Sequence, residues 1–96
     1  MVFTWHPVKS ERNLREGGFD FAFATSIFQG PTLEKEERRR DYGERRMVAM
    51  GKAEGLHLTV VYTDREGPGR EIVRRIISAR GSNRRERQAY RERIES

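Results

Sequence analysis

Two short blocks of this 96-residue chain gather the side chains best suited to chemistry: Val60-Val61-Tyr62-Thr63-Asp64-Arg65 and Arg75-Ile76-Ile77-Ser78-Ala79-Arg80, separated by a Gly67-Pro68-Gly69 turn. Read as the two strands of a hairpin, they put Thr63, Asp64 and Arg65 within reach of a strand that ends in Arg80. A guanidinium is always charged and can bridge two phosphoryl oxygens, so Arg65 and Arg80 are candidate phosphate cations. Phosphodiester cleavage without a metal needs a group to take the attacking hydroxyl's proton, a cation for the charge gathering on phosphate, and an acid for the departing oxygen. Asp64 fits orienting an arginine better than acting as base, because neighbouring cations hold a carboxylate pKa down. Lys9 is a candidate proton donor or phosphate ligand, and His6, an imidazole titrating near neutral pH, is a candidate acid or base. Each has a plain alternative: an arginine paired with a sheet-edge carboxylate, a solvated lysine, a histidine at a helix N-cap.

The remaining candidates would hold substrate. Trp5 could stack on a base, although the single Trp of a small domain is more often core. Thr63 and Arg75 belong to the same hairpin. Arg84, Arg85 and Arg87 suit a sugar-phosphate backbone, and an acidic protein surface equally well. The two histidines, His6 and His57, are not placed as a catalytic pair, and His57 sits in an alternating strand as a sheet-face residue. With no cysteine and only two histidines, the chain has no disulfide and no structural zinc cage, and neither metal nor cofactor is expected.

The net charge of +5 is unevenly placed. Residues 1–69 carry eleven Lys/Arg against eleven Asp/Glu, whereas residues 70–93 carry nine Arg against three Glu. The excess therefore lies on the second hairpin strand and the terminal segment. A polyanion is the first partner this implies, with a solvated basic face or an acidic protein as the alternatives. No apolar run approaches signal-peptide or membrane-span length, so a soluble, cytoplasmic protein is expected.

The elements that must position these residues read as a single domain over residues 1–96. Val2-Phe3-Thr4-Trp5 is a short strand. Pro7 opens a helix that runs to about Glu16 and stops at Gly17-Gly18. Asp20 caps a second helix, with Phe21, Ala24 and Phe28 at helical spacing before Gly30-Pro31. The charge run 34–46 lacks an apolar period and reads as a mobile connection. Met47–Met50 is a strand turned by residues 51–55. Leu56, Leu58, Val60 and Tyr62 alternate with His57, Thr59, Val61 and Thr63 as a two-faced strand. Ile72–Ala79, apolar on both parities, reads as a central strand. Asn83 and Glu86 have capping-box spacing at the start of a C-terminal helix. The class is α+β, an antiparallel sheet packed with two N-terminal helices and a C-terminal helix.

Phe3-Thr4-Trp5 with Lys9 and Asn13, Gly18, Phe21 and Ala24, Gly43-Glu44-Arg45-Arg46, Gly51, the two hairpin blocks, and Arg85-Glu86-Arg87 with Tyr90 together resemble the BrnT family of bacterial toxins. The Arg75–Arg80 block followed by Arg-Glu-Arg and Tyr is the specific part of the resemblance. It implies a RelE-like fold and ribonuclease activity that blocks translation. It also implies neutralisation by a BrnA-type antitoxin with a ribbon-helix-helix DNA-binding part, in a hetero-oligomer that meets DNA through the antitoxin. The family usually has Asp where this chain has His6, Lys-His at Glu16-Gly17, and Glu at Asp64. A copy that no longer cuts RNA, and serves only as the antitoxin-binding subunit of a DNA-bound complex, is the alternative these departures raise.

Overall fold

The computed structural model describes residues 1–96. Its elements are β1 (Val2–Trp5), α1 (Pro7–Gly17), α2 (Phe21–Ala24, continued by a 3-10 turn over Thr25–Gln29), β2 (Leu33–Glu37), β3 (Arg46–Ala53), β4 (Leu56–Glu66), β5 (Ile72–Gly81) and α3 (Arg84–Tyr90, continued by a wider π turn over Arg91–Glu95). The strands form one sheet in the order β1-β5-β4-β3-β2, antiparallel except for the β1–β5 pair. The expected α+β class is what the chain adopts, and no helix is long and apolar enough to cross a membrane.

Helix boundaries follow the local chemistry read from the sequence. Pro7 occupies the first turn of α1, and Gly18 takes a left-handed conformation (φ 87°) that lets its N–H reach the Leu14 carbonyl at 3.1 Å. Asp20 caps α2 by accepting from the Phe23 N–H at 2.8 Å. At the start of α3 both arms of the capping box form between Asn83 and Glu86.

One expectation needs correction. Part of the charge run read as a mobile connection is strand β2, with Leu33 opposite Met50 and Glu37 opposite Arg46. Backbone pairing to β3 holds it without an apolar face. Its Glu-Lys-Glu-Glu sequence is what a sheet edge carries to deter pairing with another chain. Strand β3 also runs further than expected, to Ala53, and turns into β4 through Glu54-Gly55, both at positive φ, the conformation of a two-residue hairpin. Strand β5 is interior, between β1 and β4.

The core lies between one sheet face and the N-terminal helices. Phe21, Ala24 and Ile27 pack against Ala49, Ala53, Leu58, Val60, Tyr62, Ile76 and Ala79, with Phe3 and Trp5 of β1 at its margin. Each large apolar side chain buried here contributes about 1.5–3 kcal/mol. The opposite face is covered only in part, by α3. Its buried Tyr90 meets the His57 ring edge-on at 5.6 Å and donates to the Pro31 carbonyl at 3.0 Å. What α3 leaves open is the stretch of sheet around Thr63, Arg75 and Ser78.

Candidate nucleic-acid interface

Strand alternation decides which side chains share the open face. Thr63 lies opposite Arg75, which lies opposite Thr4 on β1. Val61 lies opposite Val48 on one side and Ser78 on the other. Arg75, Ser78, Arg65 and Arg80 are exposed, while Thr63 and Thr4 are half-buried. The Thr63 hydroxyl is fixed by donating to the Arg45 carbonyl at 2.8 Å, which ties the start of β3 to the middle of this face. The result is a shelf of hydroxyls and guanidinium groups on rigid strands.

Register separates two residues that the hairpin was expected to gather. Arg80 lies opposite Thr59 and Arg65 opposite Val73, about 20 Å apart along the ladder at about 3.3 Å per residue. The two arginines stand at opposite ends of one antiparallel pair, because a strand that leaves a turn carries its last residue furthest from that turn. The residue brought level with Thr63 is Arg75, not Arg80.

Asp64 is not on this face either. It lies opposite Arg74 and holds that guanidinium with two bonds of 2.8 Å. Arg74 in turn lies over the Tyr62 ring at 3.9 Å and the Phe28 ring at 4.7 Å, on the helix-covered side. Burial opposes the Arg74 charge, but the Asp64 carboxylate together with Tyr62 and Glu34 outweighs it and raises the Arg74 pKa. Tyr62 donates to Glu34, and its hydroxyl pKa is pushed up by burial first and by that carboxylate second. Asp64 therefore pairs with Arg74, not with Arg65 or Arg80.

Arg80 sits in a groove of about 350 Å³ between β2 and the start of α3. Glu86 accepts from both its terminal nitrogens, at 2.7 and 2.9 Å. The Glu86 side chain is 18% exposed and that of Arg80 57%. The Arg80 bonds, helped by the Asn83 N–H, hold the Glu86 pKa down to about 2. Two more ion pairs line the same groove, Arg38 with Glu36 at 3.3 Å and Arg39 with Glu37 at 3.0 Å, whereas Lys35 makes none.

The remaining candidates are scattered. Lys9 donates to the Ile77 carbonyl at 2.8 Å, beside the point where the β4–β5 register shifts by one residue. It thereby satisfies a carbonyl at a bulge. His6 is exposed at the N-cap of α1 and makes no side-chain cap bond. Trp5, the candidate for stacking on a base, is half-buried against the core on the Phe3 side of β1, the packing more usual for the single Trp of a small domain. Arg84 and Arg85 are exposed at the first turn of α3, while Arg87 is turned inward to the Ser82 carbonyl at 2.7 Å. Burial, then the nearby Arg91 and Lys52 charges, lower the His57 pKa and favour its neutral form. No three or more His, Cys, Asp or Glu side chains are grouped so as to hold a metal ion.

Sequence reading missed Arg74 and Glu34, and saw Glu86 as a cap and as part of the Arg-Glu-Arg block, not as a partner of Arg80. Arg74 is adjacent to the chosen block, and the hairpin register alone would have matched it to Asp64. Glu86 needed the strand-to-helix corner at Ser82-Asn83, which no periodicity reveals.

A family model described as "Ribonuclease toxin, BrnT, of type II toxin-antitoxin system" matches residues 5–86. No curated protein matches the chain.

Proposed function

This chain belongs to the BrnT family of ribonuclease toxins of type II toxin-antitoxin systems, and we propose that it cuts RNA without a metal on the open face of its sheet. The observation that carries this reading is the exposed Arg75 standing level with the anchored Thr63 and Thr4, with Ser78 further along the same strand. A guanidinium carried on a strand can meet the charge gathering on phosphate, and a donor placed at such charge contributes about 3–4 kcal/mol. Arg65 and Arg80 flank this centre at either end of the ladder, gripping separate phosphates of the strand rather than the same one. Arg84 and Arg85 extend the cationic track, and Lys9 and Asp64 act by holding the β5 bulge and Arg74 in place. Blocked translation follows from loss of RNA.

The partner proposed for neutralisation is a BrnA-like antitoxin with a ribbon-helix-helix part, through which the complex meets DNA. The cytoplasm, where messenger RNA is translated, is the proposed site of action.

A second reading has its own support: the groove arginines Arg38, Arg39 and Arg80 are each already matched to a carboxylate. A chain so neutralised could serve as an antitoxin-binding subunit that no longer cuts. Purified protein incubated with RNA, with and without chelator, separates the two. Cleavage that survives chelation and leaves 2′,3′-cyclic phosphate ends supports the first. In that assay Arg75→Ala should lower the rate about a hundred- to a thousandfold. Full activity in that variant would move the site elsewhere.

A further inference from the structure

Glu86 has two attachments that serve different ends. Its Oε1 accepts from the Asn83 N–H at 2.9 Å, closing the capping box of α3, and also from Arg80 at 2.7 Å. Its Oε2 takes the second Arg80 nitrogen at 2.9 Å. A carboxylate on a guanidinium fork has the same planar, two-oxygen geometry that a phosphodiester presents to it. We infer that Glu86 occupies the seat of an RNA phosphate on Arg80, so that RNA binds in this groove by displacing a built-in carboxylate and releasing the N-terminal turn of α3.

The inference rests on the reading that this chain binds RNA, and it adds a mechanism to it. The displaced carboxylate gives up its bond from the Asn83 N–H along with its arginine. The cap and the phosphate seat are thereby coupled: an anion on Arg80 loosens α3, and a well-capped α3 keeps Arg80 masked. Arg80 is the more exposed partner and lines an open groove, so an incoming phosphate can approach the guanidinium. The free protein therefore holds part of its cationic surface neutral until a polyanion arrives.

Glu86→Gln tests this with little disturbance, because Gln serves at the same position of a capping box. With a 2′-O-methyl oligoribonucleotide, which cannot be cleaved through its 2′-oxygen, the variant should bind about five- to tenfold tighter. Its log affinity against log salt should steepen by about 0.7, one additional phosphate contact on a single strand. Adding Arg80→Ala to Glu86→Gln should erase the gain. In the unaltered protein, titration with the same oligonucleotide should shift the Arg80 side-chain N–H and the Asn83 amide together in NMR spectra. Binding that leaves both signals in place, or a Glu86→Gln protein with normal helix content and unimproved affinity, overturns the displacement mechanism alone. Absence of any binding, in every variant, overturns the RNA reading as well.

Discussion

The side chains that matter most here are defined by which carboxylate each arginine meets. Glu86 has a folded pKa of about 2 against an ordinary 4.5, so its contribution to stability is full above about 4.5 and is lost as pH falls toward 2. Urea midpoints measured across that window should drop less steeply for Glu86→Gln than for the parent. The Asp64–Arg74 pair is more enclosed, with Arg74 only 13% exposed and lying over two aromatic rings. Arg74→Ala should destabilise by about 1–2 kcal/mol in equilibrium unfolding, since it uncovers two ring faces and leaves Asp64 without its partner. Arg80→Ala should cost no more than about 1 kcal/mol, because its pair is half in solvent. Similar losses for the two variants would mean that enclosure does not govern these pairs.

Elements meet closely at one place where size is restricted. A Cβ added at Gly51 of β3 would stand 2.9 Å from the Ile27 Cβ and 3.2 Å from the Thr32 Cγ2. Neither is the free end of a flexible side chain, so the turn over Thr25–Gln29 would have to move off the sheet. Gly51→Ala should lower stability by about 1–3 kcal/mol, read from thermal or urea unfolding, whereas an unchanged midpoint would show that the turn is free to shift. The same scale explains why β2 escaped the sequence reading. Its only requirement is a backbone edge to pair with, and a segment held by main-chain bonds leaves little mark on hydrophobic periodicity. Caps and turns were legible because Pro7, Gly18, Asp20 and Asn83 act on their immediate neighbours.

Across the whole molecule, one sheet face is closed by the N-terminal helices and the other is left open beside α3, whose exposed Arg84 and Arg85 stand at its rim. If that rim tracks RNA, removing Arg84 and Arg85 together should flatten the salt dependence of binding by about 1.4, at about 0.7 per phosphate on a single strand. An unchanged slope would assign those arginines to another partner. The sequence by itself determined the α+β class, most element boundaries, the family and the uneven charge, because composition, caps and alternation are local properties. Only the tertiary structure decided which arginine faces which carboxylate. A hairpin of this length turns on its register, and a single residue of shift carries a side chain to the other face of the sheet. That is why Asp64 holds Arg74 on one face while Arg75 takes the place beside Thr63 on the other; Arg65 and Arg80 stand apart because one lies beside the turn and the other at the far end of its strand.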